Sequence, residues 1–316
     1  MLFRSFPQIF KNQKPILNPI NGNKVYEIIN PKTLEPNVGI FKFRIKNIIK
    51  KIIKRGVLTP SLYYDKDMQF AFFPRQDDKW LNDFYTSYGL DIAKNKLSRE
   101  KFFNSPALAQ SADIMLDFAE IKNSMNVLVE YGAGTCWMAN AMTKRTNASI
   151  KAVDLSIDVM SHLRDLNDAI EPVGTDDFFS LEQPQFDFLA CVDTFEHLND
   201  PLKVLKQIHK KANNGATVFL SVPNFDSYFS RIHFGCHPYY SQFPTHLNYF
   251  TSKALREFSE LVGFKVIKQT VVTLPWEMEY ISRVYSRQMA PITGWSLWDK
   301  LNNGRDGERL FILLKK

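Results

Sequence analysis

The 316-residue sequence predicts an α/β fold, a doubly wound parallel sheet with helices on both faces, on three observations. From Asn126 onward, short apolar runs alternate with helical stretches, the pattern of parallel strands joined by covering helices. The run Val127-Leu-Val-Glu-Tyr131 leads directly into Gly132-Ala-Gly134, whose glycines permit a tight turn and close approach of the backbone to a ligand. Twenty-four residues after Glu130, a second short run, Ile150-Lys-Ala-Val-Asp154, ends in an acid. An acid there sits at the tip of the neighbouring strand, where it can accept hydrogen bonds from both ribose hydroxyls of a nucleoside.

The elements follow in chain order. Residues 1–40 are Asn- and Pro-rich without periodicity and are expected to form an extended arm. In residues 41–58, Ile45, Ile48, Ile49, Ile52 and Ile53 recur at helical spacing, with Lys46, Lys50, Lys51, Lys54 and Arg55 on the remaining arc. Gly56 and Pro60 end this basic amphipathic helix. Its isoleucines dock on the main domain in the favoured reading, and lie on an anionic membrane surface in the other. Residues 61–120 are aromatic-rich; with the basic helix they make a helical and aromatic cap over 41–120, ending in a helix over 107–121. Within the main domain, 121–316, strands are expected at 126–131, 150–154, 171–174, 186–192, 216–222, 264–272 and 309–314. Helices are expected at 136–146, 157–167, 201–212 and 252–262. Insertions fall near 224–250 and 275–307.

Charge and composition narrow the function classes. Net charge is +7, yet residues 1–60 carry twelve Lys or Arg against Glu27 and Glu35, so the other 256 residues sum to −3. A basic chain suggests nucleic acid, but the charge belongs to the arm, and a nucleic-acid partner is disfavoured. No apolar stretch of about 18 residues is present to span a membrane. Three widely spaced cysteines, Cys136, Cys191 and Cys236, argue against a disulfide framework and for a cytoplasmic setting.

The Gly-rich turn discriminates between nucleoside ligands. Dinucleotide binders need a third glycine for the pyrophosphate, and Cys136 stands at that position. Glu130, just before the turn, would repel a pyrophosphate but suits an ammonium, which S-adenosylmethionine carries beside its sulfonium. Here the chain resembles the class I S-adenosylmethionine-dependent methyltransferases, whose first motif runs Glu/Asp-x-Gly-x-Gly-x-Gly. The resemblance extends through Phe186-Asp-Phe-Leu-Ala-Cys-Val-Asp-Thr-Phe-Glu-His-Leu-Asn-Asp-Pro201 and Asn214-Gly-Ala-Thr-Val-Phe-Leu-Ser-Val-Pro-Asn224. It continues in His246-Leu-Asn-Tyr-Phe-Thr-Ser-Lys-Ala-Leu255, followed by Leu261-Val-Gly-Phe264, a pattern similar to the small-molecule and glycan branch. It covers residues 120 to 272 and implies a Rossmann-like seven-stranded sheet whose last strand inserts antiparallel.

The resemblance also implies a site. Gly132, Ala133 and Gly134 would lie beside the amino-acid moiety of S-adenosyl-L-methionine, with Glu130 towards the ammonium. Asp154, followed by Leu155, would hold the ribose. Asp176 or Asp177 would sit near the adenine amino group or merely cap a turn. Val192 and Asp193 would pass the sulfonium, and the product would be S-adenosyl-L-homocysteine. For catalysis the candidates are His197, His246 and Tyr249, each a base or positioning group for the acceptor. His233, Cys236, His237 and His246 fit no paired ligand framework, so no metal is expected. The expected acceptor is a small molecule, a sugar or polysaccharide precursor. The alternatives are a lipid-quinone-type O-methyltransferase docked on a membrane, an RNA methyltransferase, and a non-enzymatic scaffold. Against RNA base methylation, Val192-Asp-Thr-Phe195 stands where an Asn-Pro-Pro-Tyr motif would be. Oligomeric state has no signature in the sequence.

Overall fold

The computed structural model describes residues 16–18, 24–29, 62–94, 105–155, 157, 167–180, 185–227, 245–277 and 307–316. The basic helix expected at 41–58, nearly all of the helix expected at 157–167, His233, Cys236 and His237, and most of the 275–307 insertion lie outside the described residues.

The first described elements are short strands, two of them within the segment expected as an extended arm: β1 (Ile16–Leu17), β2 (Lys24–Ile29), β3 (Leu62–Asp65) and β4 (Phe70–Phe72). Helix α1 (Asp78–Lys94) follows, then α2 (Pro106–Ala119). Ser105 caps α2, accepting from the Leu108 N–H at 3.4 Å, and Pro106 loses nothing at the first turn, where its missing N–H would be unbonded anyway. Ser111, Ala112, Met115, Leu116 and Ala119 form its buried face.

The strands of the Rossmann-like half then follow close to where they are expected, and α4 is an addition to the expected helices: β5 (Val127–Tyr131), α3 (Trp137–Thr143), β6 (Ser149–Asp154), β7 (Ile170–Gly174), α4 (Thr175–Ser180), β8 (Phe186–Val192), α5 (Pro201–Lys211) and β9 (Ala212–Pro223). After it come β10 (Asn248–Tyr249), α6 (Ser252–Val262), β11 (Lys265–Val272) and β12 (Arg309–Lys315). Asp200 caps α5, accepting from the Lys203 N–H at 3.0 Å, and Thr251 caps α6, accepting from the Ala254 N–H at 3.2 Å. Gly263 ends α6 at φ +101°, a left-handed conformation costly for other residues.

Seven strands form one sheet in the order β11-β12-β9-β8-β5-β6-β7. β12 is antiparallel to both of its neighbours, and the pairs from β9 through β7 are parallel. The family's expected topology is therefore present. α2 and α3 cover one face, through a core that includes Met115, Leu128, Met138 and Phe311. α5 and α6 cover the other, through Leu189, Leu205, Ile208 and Phe258. Burial of such side chains contributes roughly 1.5–3 kcal/mol each.

The cap differs from its expected form. Its core is a five-stranded sheet, β1-β2-β3-β4-β10, antiparallel throughout. It takes strands from the expected arm, from the aromatic segment and from the segment after β9. Phe70 and Phe72 on one face join the main core, where Phe70 meets Phe250 and Phe258, each at 5.0 Å. On the other face Leu62, Tyr64, Ala71 and Phe73 pack with Phe225, Leu247 and Tyr249. Helical periodicity gave no sign of these strands, because aromatic residues seal either kind of cap. Among the described residues, no helix is long and apolar enough to cross a membrane.

Candidate functional site

The carboxyl ends of β8, β5, β6 and β7 lie side by side, which gathers Val192, Tyr131, Asp154 and Gly174 along one edge. In open α/β sheets this edge is where ligands bind. The Gly-rich turn is tied to it: the N–H groups of Gly132 and Ala133 both donate to the Val153 carbonyl, at 2.8 and 3.1 Å. The two glycines are required for different reasons. Gly132 lies at φ +74°, and a Cβ there would stand 2.1 Å from Thr194 Cγ2. Gly134 lies at φ +47° with open space where a Cβ would be, so its requirement is conformational, and the space stays free for a ligand. Ala133, between them, is buried.

Asp154 reaches back across the turn, and its Oδ2 accepts from the Gly134 N–H at 2.9 Å. Leu155, next in the chain, is half exposed. Glu130 is buried and its Oε2 accepts from the Ala139 N–H at 2.7 Å. That N–H lies in the first turn of α3, whose N-cap residue, Cys136, is left-handed (φ 54°) and makes no side-chain cap. Glu130 therefore supplies the missing cap, a task beyond the ammonium contact expected of it. Burial pushes its carboxyl up to about 8, against the pull of the Ala139 N–H. Burial also raises the Cys136 thiol, which is thereby an inert wall of the turn. Asp176 and Asp177 are exposed in the first turn of α4, just beyond β7.

On the other side of the turn, Val192 is buried at the end of β8 and Asp193 turns into the left-handed region at φ 51°. Arg309, at the head of β12 and fully buried, holds that turn. Its Nη1 donates to Asp193 Oδ1 and lies 3.2 Å from Ser221 Oγ, and its Nε donates to Glu277 Oε1 at 2.9 Å. Thr194 places its hydroxyl within reach of the Gly132 and Val192 carbonyls, at 3.2 and 3.1 Å.

One turn further, Phe195–His197 forms a single 3₁₀ turn. The segment from Thr245 to Asn248 is stitched to it. Leu247 N–H donates to the Glu196 carbonyl at 2.9 Å, and Asn248 Nδ2 donates to the Leu198 carbonyl at 2.6 Å. These bonds bring His197 and His246 together, their rings 4.8 Å apart and edge to face. His197 Nδ1 stands 2.5 Å from the Thr245 carbonyl, so Nδ1 carries the hydrogen and Nε2 keeps its lone pair. Burial lowers the pKa of His197 and keeps the ring neutral. Tyr85 from α1 packs edge-on against it at 5.9 Å and donates its hydroxyl to the Thr245 carbonyl. Tyr249 points elsewhere. It is buried between Phe73 and Phe225, and its hydroxyl donates to the His246 carbonyl at 3.3 Å, so it braces the His246 backbone.

Reasoning from the sequence missed Thr194, Glu277 and Arg309, and did not single out Tyr85 from its aromatic-rich segment. Only Arg309 leaves a local signal, a charge at the head of the apolar run Leu310–Leu314. Among the described residues His246 joins a cluster of ligating side chains with Glu196 and His197, while His233, Cys236 and His237 lie outside the described residues.

Residues 103–269 match a family model described as a methyltransferase domain. Over 103 residues the chain is 28% identical to the ubiquinone biosynthesis O-methyltransferase of Xanthomonas campestris pv. campestris, a stretch that covers 31% of this chain and 43% of that protein. The chain thus spans less than half the length of these curated relatives. Its fold resembles a chain in the complex between the Haloferax volcanii Trm112 methyltransferase activator and a methyltransferase (TM-score 0.54, 15% identity, 74% of this chain and 96% of that one). It also resembles a SAM-dependent methyltransferase from Thermotoga maritima (TM-score 0.50, 15% identity, 72% and 99%). At such identities the structural likeness bears on the fold alone.

Proposed function

This chain belongs to the class I S-adenosylmethionine-dependent methyltransferases, and from that premise we propose that it methylates a small hydroxylated molecule, a sugar or polysaccharide precursor. S-adenosyl-L-methionine is its methyl donor. The observation that carries the reading is the pairing of an open, Asp154-anchored Gly turn with two packed imidazoles under an aromatic cap. A histidine pair beside aromatic side chains suits a compact acceptor, and the slightly acidic balance of residues 61–316 disfavours a nucleic acid.

In this reading Gly132, Ala133 and Gly134 lie along the amino-acid moiety of the donor, with Glu130 behind them. Asp154, beside Leu155, takes the ribose hydroxyls, Asp176 or Asp177 the adenine amino group, and Val192 and Asp193 flank the sulfonium. The sulfonium is already an activated leaving group, so the protein has mainly to align the acceptor and exclude water. The acceptor oxygen gives up its proton to His246 or His197 and forms a bond to the methyl carbon. The C–S bond breaks with its electron pair staying on sulfur, which leaves S-adenosyl-L-homocysteine. His197 and His246 are the groups placed to position that oxygen, and Tyr249 holds His246 in register. A cytoplasmic setting fits two buried, free cysteines.

A second reading has its own support. The likeness to ubiquinone biosynthesis O-methyltransferases favours a quinone-type phenol as acceptor.

Calorimetric titration with S-adenosyl-L-homocysteine tests the cofactor half. Wild type is expected to bind in the micromolar range and Asp154→Ala to weaken binding by about 1–3 kcal/mol, the loss of a charge-assisted contact. Folded wild type that does not bind would refute it. Transfer of a labelled methyl group to a sugar panel or to polyhydroxylated phenols then separates the two acceptor readings.

A further inference from the structure

We propose that Glu196, His197 and His246 form a binding site for a divalent transition-metal ion. The three side chains offer one carboxylate oxygen and two imidazole nitrogens, all within 4.8 Å of one another. Metal–ligand bonds of about 2.0–2.2 Å separate ligand atoms by roughly 3–4 Å, so a small side-chain rotation closes the set. Glu196 Oε1 already stands 3.8 Å from His197 Nε2, too far for a hydrogen bond and within the span of two ligands on one ion.

Three further observations point to a cation. Glu196 is 1% exposed and neither carboxylate oxygen meets a hydrogen-bond partner, an arrangement that costs free energy unless something is bound. The Thr245 carbonyl fixes the His197 tautomer by accepting from Nδ1–H, which leaves the lone pair on Nε2, 3.8 Å from Glu196 Oε1. Metal-bound histidines are oriented in this way, by a carbonyl or carboxylate on the ring nitrogen away from the ion. The bonds from the Leu247 N–H and the Asn248 side-chain amide to carbonyls of the turn that carries Glu196 hold His246 in place before any ion arrives. Arg309 is the nearby positive charge that could oppose an ion, and Asp193 and Glu277 already neutralise it.

The donor set also selects the ion. Two imidazoles with one carboxylate favour zinc, manganese, iron or cobalt over magnesium or calcium. Three protein ligands leave positions open, the arrangement of a catalytic rather than a purely structural site. For the chemistry, the inference rests on the methyl-transfer reading and changes how the two histidines work. An acceptor hydroxyl in an open position would release its proton to water, and the metal-held oxygen would then attack the methyl carbon as the C–S bond breaks towards sulfur.

The test is titration of the full chain with Co²⁺, read by its visible absorption, and with Zn²⁺, read by competition. Wild type is expected to take up one Co²⁺ per chain, displaced by one Zn²⁺. Glu196→Gln and His246→Gln should each weaken uptake at least tenfold while S-adenosyl-L-homocysteine affinity, which also reports folding, stays within twofold. Wild type that binds S-adenosyl-L-homocysteine but neither ion overturns the site, as does uptake unchanged in both variants. Cobalt uptake that depends on these residues in a protein blind to S-adenosyl-L-homocysteine would uphold the site and refute the methyl-transfer reading alone.

Discussion

Glu130 shows how much a single carboxyl can be asked to do. It lies buried at the end of a central strand, accepts from the Ala139 N–H, and so replaces the cap that left-handed Cys136 does not provide. Burial raises its pKa from 4.5 to about 8, so between those values the folded chain holds a proton that the unfolded chain has released. The stability this group contributes is therefore complete below about pH 4.5 and lost as pH rises through about 8. In urea titrations at pH 5, 6.5 and 8, Glu130→Gln should unfold with a shallower decline than wild type. The difference can reach about 1.4 kcal/mol per pH unit, the slope of one proton. Parallel curves would mean that Glu130 is ionised throughout. Glutamine keeps an oxygen for the Ala139 N–H, so the comparison isolates the charge.

At the scale of elements, the cap sheet turns separate stretches of sequence into one lid. Phe70 is its keystone: fully buried, stacked on Phe72 and packed against Phe250 and Phe258. Phe70→Ala should cost about 3–5 kcal/mol, whereas Leu261→Ala, at a position 59% exposed on α6, should stay within about 0.5 kcal/mol. Equal effects in chemical denaturation would show that the cap does not share the main core's cooperativity. This lid also marks where sequence stops being legible. The alternation from β5 to β9, the Gly turn and Asp154 could be read because each is a local pattern within a few tens of residues. Strands such as β4 and β10 are two or three residues long, and the pairing of Phe72 with Asn248 joins segments before β5 and after β9, so no local periodicity encodes it. The site divides in the same way. His197 and His246 stood out as residue types, but their contact depends on hydrogen bonds between segments 48 residues apart.

For the whole molecule, the antiparallel insertion of β12 lets Arg309, at the head of that strand, reach the tip of β8. Arg309 stands opposite Pro223 at one end of the β9 pairing and opposite Val272 at the end of β11. From there its guanidinium joins Asp193 at the tip of β8 to Glu277 just beyond β11, and lies over the Trp276 ring at 5.3 Å. The two partners are unequal. Glu277 is 1% exposed at the side chain and Asp193 36%, so solvent screens the second pair and the first carries most of the interaction. Arg309→Met should therefore cost about 3–5 kcal/mol, because it strands a buried carboxyl rather than because the pair is intrinsically strong. If that is the cause, neutralising the stranded group must recover part of the loss. In a double-mutant cycle with Glu277→Gln, the two changes should couple by about 1–3 kcal/mol, and the same cycle with Asp193→Asn should couple less. Additive losses in urea unfolding would show that Arg309 acts through packing against Trp276. Coupling confined to the Glu277 cycle would make the last strand an electrostatic clasp, one that fixes the left-handed turn at Asp193 where β8 meets the site.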